Sequence, residues 1–355
     1  MKIKNVPAKT VLAALLAAFA STGFAQSTVT VYGIADAAVR YVDGLTNGNA
    51  PSATSQGTIS SGVDNTSRLG FRGSEDLGGG MKAVFNMEMG VNFATGAPAD
   101  AVKLFDRASF VGLENTWGTV TFGRQTTALA DSLAPVDPLG VRFAGFNPNV
   151  GIAALSAPGL GIEFGPSGST AGSYRLDSSI KYVGKFDAFT VRAMHALGGA
   201  SNLTASNVGL AYDGKSFGGT LAYGQFKSAT GLALNGYVGG VSIPFGSSKV
   251  SMTYGSHEAE TTATARTRNT TLSLGGTLAI TQNIDLVLGH YRIERTRTGF
   301  ANDGYNRTVA VLEQKMSRRT RLYAELDLTN WDNNYQGAAN KSNASGLSLG
   351  ILHTF

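Results

Sequence analysis

The sequence predicts an all-β chain: a 16-stranded antiparallel transmembrane β-barrel with a long third loop folded into the lumen. Three observations point there. Apolar and polar residues alternate with period two along most of the chain, which is the pattern of strands with two unlike faces. Only 15% of the 355 residues are charged and 46 are glycine, whereas a soluble domain carries about 25% charged residues. Beyond the N-terminal leader there is no apolar run of 18 residues, and a spanning helix needs about 20.

The leader accounts for the first element. Lys2, Lys4 and Lys9 form a basic start without an acid, Val11 to Ala20 is apolar throughout, and Gly23-Phe24-Ala25 supplies small residues before a cut at Gln26. This is the order of a cleaved secretory signal, and the apolar run is half the length of an anchor helix. The expected organisation is a signal peptide at 1–25 and one barrel at 26–355. Removing the leader lowers Lys+Arg from 29 to 26 against 24 acids, so the net charge of +5 falls to +2. A nucleic-acid partner loses its electrostatic footing. With no cysteine, an exported chain has neither disulfides nor a thiolate metal site.

The strands follow in order. Along residues 28–40, Val29, Val31, Gly33, Ala35, Ala37 and Val39 share one face, and Thr30, Tyr32, Ile34, Asp36, Ala38 and Arg40 the other. Leu69 and Phe71 oppose Arg68 and Arg72; Phe85, Met87 and Met89 oppose Lys82, Asn86 and Glu88. Sixteen such segments are centred near Tyr32, Gly70, Phe85, Phe110, Thr121, Ser179, Val191, Leu210, Leu221, Val241, Met252, Leu274, Leu288, Ala310, Ala324 and Leu349. Tight turns are expected at 76–80, 245–248 and 281–283, and longer connections at 43–66, 196–206 and 330–343. An apolar face opposite a charged one also suits a soluble sandwich; the leader and the strand number favour a membrane barrel, with lipid outside and water inside.

Two segments break the parity. Tyr291 and Ile293 oppose Ile284, Leu286 and Leu288, and Arg124 falls on the face of Val120 and Phe122. Glycine often marks a bulge, so bulges near Gly289 and Gly123 are expected to restore both. The longest stretch without a strand pattern, about 126–173, holds Pro135, Pro138, Pro148 and Pro166. A loop of that length is usually functional, and in a wide barrel it can fold inward as a constriction.

At the other end Leu349, Ile351, His353 and Phe355 alternate on one face, with an aromatic as the last residue. This matches the outer-membrane signal read by the barrel assembly machinery. With Val29–Gly33, Ser67–Gly78, Phe122-Gly123-Arg124-Gln125 and Leu349–Phe355, the chain resembles the general porins of Gram-negative outer membranes, in particular their neisserial-like branch. The resemblance implies a homotrimer of sixteen-stranded barrels in the outer membrane, through which small hydrophilic solutes and ions diffuse. It also implies a constriction with Arg68, Arg124 and Arg175 on the wall, joined by Arg72 on the face of Arg68. On the loop side Asp131, Asp137, Glu163 and Arg142 remain, because the Pro-Glu-Phe-Gly-Gly-Asp signature of the enterobacterial relatives is missing.

Several arginines against few loop acids predict a weak to moderate anion preference. The opposing reading pairs these arginines with Asp36, Glu88 or Asp177 and leaves selectivity nearly neutral. No enzyme is expected: the sequence has no Gly-x-Ser-x-Gly, Walker or His-Glu-x-x-His motif. His195 and His353 fall on lipid faces, and neither a cofactor nor a clustered metal site is indicated. A substrate-specific channel, or a receptor or adhesin on the same barrel, is the alternative function.

Overall fold

A computed structural model describes residues 27–46, 48–142, 174–198, 203–228 and 231–355. The expected signal peptide and Glu163 lie outside these residues. The strands are β1 (Thr28–Leu45), β2 (Pro51–Ser61), β3 (Arg68–Gly78), β4 (Met81–Gly90), β5 (Ala108–Asn115) and β6 (Gly118–Thr126). A short helix, α1 (Ala128–Leu133), comes next. The remaining strands are β7 (Arg175–Phe186), β8 (Phe189–Gly198), β9 (Leu203–Asp213), β10 (Gly218–Lys227), β11 (Ala233–Phe245) and β12 (Ser248–Glu260). The last five are β13 (Arg266–Ala279), β14 (Ile284–Arg297), β15 (Asp303–Lys315), β16 (Thr320–Asp332) and β17 (Asn343–Thr354).

Each strand from β3 to β17 pairs antiparallel with the next, β17 pairs with β1, and β1 pairs with β3. Sixteen strands therefore close a ring without an edge, and pairing across the ladders satisfies the backbone groups as a spanning wall requires. Near the seam, the backbones of Gly33 and Phe355 exchange two hydrogen bonds of 3.1 Å. The seventeenth strand, β2, pairs with Ala37–Leu45 in the half of β1 that β3 leaves uncovered, since β3 pairs only with Thr28–Ile34. The sequence shows only a connection at 43–66, because Pro51–Ser61 is mostly Ser, Thr and Gly and has no alternation of hydrophobicity. The connection expected at 196–206 is shorter, since strand structure runs to Gly198 and resumes at Leu203.

The faces follow the pleat. Val39, Tyr41, Leu221, Leu349 and Ile351 are exposed outward, while Asp36, Arg40, Glu325 and Asp327 are buried within. That inversion of the usual rule, apolar outside and ionic inside, is expected where the outer medium is lipid.

The two parity breaks resolve differently from the expectation. β14 is regular, its register unbroken against both β13 and β15, so there is no bulge at Gly289. Tyr291 and Ile293 face inward and pack with Leu139 of the long loop, Val309, Val311 and Tyr323. Near Gly123 the register does shift, but Gly123 and Gln125 face Ser179 and Leu176. The extra residue therefore belongs to β7, where Ser178 adopts φ +49. Arg124 stays opposite Ser109 on the side of Phe122.

Candidate functional site

The site is built where the third long loop lies against the inner wall. Thr127 starts α1, its hydroxyl accepting from the Ala130 amide at 3.2 Å. Leu129, Ala130, Leu133 and Val136 pack against Ala222 of β10 and Val238 of β11. Ala128 joins a second group with Leu176, Met194, Phe226 and Leu234. The inner wall turns apolar over these strands because the loop, rather than water, covers it. Two glycines make room. A side chain at Gly209 would collide with Ser132, and one at Gly240 would stand 2.7 Å from Val136.

Beyond Val136 the loop turns on Asp137, whose carboxylate accepts from the Leu139 and Val141 amides at 3.1 and 2.9 Å. Tyr291 of β14 donates its hydroxyl to the same carboxylate at 3.3 Å. Asp137 is thus a buried turn-holder. The described part of the loop ends at Arg142, which enters a socket of wall acids. It pairs with Asp64 at 3.2 Å and with Glu313 of β15, and Arg321 of β16 holds the other side of Asp64 at 2.6 Å. Burial works against the charge of Arg142, but the carboxylates of Asp64 and Glu313 outweigh it and raise its pKa above the ordinary value.

Across from the loop stands the basic wall. Arg107, directly before β5, binds Glu88 of β4 at 2.6 Å. Arg68 of β3 lies 3.9 Å from the same carboxylate and is tied to Asn65 and to the Thr66 carbonyl. The Arg175 guanidinium stacks over the Tyr174 ring at 4.4 Å. Burial opposes ionisation of that phenol, yet Arg175 and Arg107 outweigh it and lower its pKa. Arg68, Arg107, Tyr174 and Arg175 on one side, and Asp131, Val141 and Arg142 on the other, enclose a space of about 260 Å³. Four arginines and one acid line it.

The predicted residues divide accordingly. Arg68, Arg175, Asp131 and Arg142 come together. Asp131 is paired with Lys181 of β7 at 2.8 Å. The structure does not bring Arg124 into this group: its guanidinium binds the Asp106 carbonyl at 2.6 Å and Asp177 at 2.6 Å, and Asp177 also holds Lys103. Arg72 faces the lumen four residues further along β3, over the Tyr32 ring at 4.8 Å. Asp137 serves the loop's own turn.

Sequence reasoning missed Arg107, Asp64 and Glu313. Arg107 precedes its strand and Asp64 sits in a connection, so neither joins an alternating segment. Glu313 does alternate with Leu312, but its partner is 171 residues away. Of the acids expected on the loop, Asp131 lines the space and Asp137 holds the turn; the carboxylates that pair with the loop's Arg142 come from Asp64, between β2 and β3, and Glu313 of β15.

His195 and His353 lie outward and exposed, each bonded to a hydroxyl of a neighbouring strand, Ser206 of β9 and Thr320 of β16. Among the described residues no group of three or more His, Cys, Asp or Glu side chains is arranged to hold a metal ion.

Comparison with known proteins places this architecture. The family described as Gram-negative porin matches residues 12–334. An outer membrane porin protein of Bordetella pertussis is 35% identical over 208 residues, which is 52% of this chain and 54% of that one. The chain thus aligns with about half the length of that relative. The anion-selective porin from Comamonas acidovorans superposes with a TM-score of 0.78 at 24% identity, over 93% of this chain and 100% of that one. OmpT of Vibrio cholerae, solved as a trimer form, superposes with a TM-score of 0.70 at 16% identity, over 93% and 99%.

Proposed function

Since the chain belongs to the Gram-negative porin family, we propose that it is a general diffusion porin of the outer membrane, passing small hydrophilic solutes and ions through a water-filled lumen. The reading rests on one observation above the others. A closed ring of sixteen strands carries its polar residues inward, and the loop leading to Arg142 narrows the lumen opposite Arg68, Arg107 and Arg175. The work of such a site is selection by size and charge, not bond making.

The charges favour a weak anion preference. Arginine stays ionised at any pH the cell meets, and fixed cations in a narrow lumen raise the local concentration of anions. Glu88, Asp64 and Glu313 neutralise part of this field, which keeps the preference weak. Arg68 and Arg175 carry most of it, since Arg107 is held by Glu88, Arg142 by Asp64 and Glu313, and Arg124 by Asp177. Reversal potentials across a planar bilayer under a KCl gradient test the reading; cation selectivity would overturn it.

Three further parts belong to the same proposal. A homotrimer is expected to give three equal conductance steps from the native oligomer. Mature protein should begin at Gln26 on N-terminal sequencing. Assembly would depend on Leu349, Ile351, His353 and Phe355, whose removal should leave unassembled chain. Liposome swelling with sugars of graded size separates this function from a substrate-specific channel, since a general pore gives a smooth size cutoff and a specific one saturates.

A further inference from the structure

The sequence groups Arg72 with the constriction, but the structure sets it apart. Arg72 lies four residues from Arg68 along β3, about 13 Å along the strand toward the rim of short turns at roughly 3.3 Å per residue. Its register partners, Thr30 of β1 and Asn86 of β4, face the lumen with it. One face of its guanidinium covers the Tyr32 ring at 4.8 Å, and the Tyr32 hydroxyl is held by Asn86 and Glu88 at 2.8 and 2.9 Å. Among the described residues Arg72 has no carboxylate within salt-bridge distance. Its N–H edges therefore have no acid to satisfy them.

A hollow of about 490 Å³ in the inner wall opens beside it. Arg72, Asn86 and Thr121 supply polar groups, and Phe110, Val84 and Val183 supply an apolar side. Lys181 stands at the far edge, turned toward Asp131. Glu114, the acid of this lining, is engaged by Lys82 at 3.7 Å. A cation without an acid next to apolar groups is poorly matched to water or chloride alone. It suits a solute with a carboxylate at one end and a ring or short chain at the other. A carboxylate accepts two parallel N–H bonds from a guanidinium, while the apolar end leaves water against Phe110 and Val183.

We propose that this hollow is a binding subsite for small amphipathic organic monoanions, such as aromatic carboxylates, one level below the constriction on the short-turn side. The site needs only the lumen wall. Its role in permeation, as a stage where such anions collect before or after the arginines of the constriction, rests on the porin reading.

The test uses the purified, detergent-solubilised full-length protein with benzoate as probe. Calorimetric titration reads binding without conduction. Benzoate should bind saturably, with affinity reduced about tenfold or more in Arg72→Gln and several-fold in Phe110→Ala. Formate should bind weakly and be insensitive to Phe110→Ala. Neutral benzyl alcohol should not respond to Arg72→Gln. Unchanged benzoate affinity in Arg72→Gln, or equal affinity for formate and benzoate, would overturn the site. KCl conductance of the same preparations keeps the two readings apart. A normal conductance without benzoate binding removes the subsite alone, and benzoate binding without conductance removes the porin reading alone. Circular dichroism and heat-modified gel mobility show that each variant is folded.

Discussion

Arg142 sets the terms at the scale of single residues. It is one-sixth exposed and lies between Asp64, which is fully buried, and Glu313. Removing one member of a buried ionic group leaves an uncompensated charge, at a cost of about 3–5 kcal/mol. Arg142→Met should therefore lower the thermal unfolding midpoint and increase open-channel current noise, because the loop loses its socket. Replacing Asp64 by Asn together with Arg142→Met should recover much of that loss, a non-additivity that a double-mutant cycle would read. On the basic wall the expected outcomes separate two arginines that look alike in sequence. Arg68→Gln should shift the reversal potential toward zero, whereas Arg124→Gln should leave it nearly unchanged and act on stability instead, since Arg124 is held by Asp106 and Asp177.

At the scale of elements, α1 has six residues and would not form alone, since isolated helices shorter than about 12–15 residues are marginal. Its seat makes it. Thr127→Ala should cost about 1 kcal/mol through the lost N-cap. Gly240→Val should do more, because a side chain there meets Val136. The expected result is a displaced loop and a changed single-channel conductance with the barrel's circular dichroism intact. The same element shows what sequence can convey. All sixteen ring strands were legible because lipid and water impose opposite demands on successive residues. β2 was not, because it is a polar pairing with no apolar face to mark it. The parity break at Tyr291 was legible as an anomaly but not as its cause. An inward tyrosine looks like an error until the loop that covers it is placed, and that contact spans 154 residues. The pairing of Arg142 with wall acids was hidden for the same reason.

For the whole molecule, the ring is the unit of stability. β1 joins β17 over ten register pairs from Ile34–Thr354 to Asp43–Ser345, so the last strand completes the first and closes the ring. Cysteines placed at Val39 and Leu349, which are register partners, should form a disulfide within one chain under oxidation. Such pairs lie at Cα separations of about 4.5–5.5 Å, within disulfide reach. The cross-linked barrel should resist heat-dependent unfolding on gels, and failure to link in the folded protein would contradict the seam.

The described part of the loop, up to Arg142, is seated at two places of different chemistry. Near α1 it is greasy, and at Arg142 it is saline in character. Added electrolyte tightens apolar burial when its ions are strongly hydrated, but it loosens ion pairs that water can reach. The Arg142 side chain is 16% exposed, so the electrolyte in transit is the same one that competes for its carboxylates. Traffic and aperture are thereby joined: a heavy flow of ions acts upon the orifice it is passing through. Current noise should then rise with salt concentration faster than conductance does, and Arg142→Met should abolish that excess.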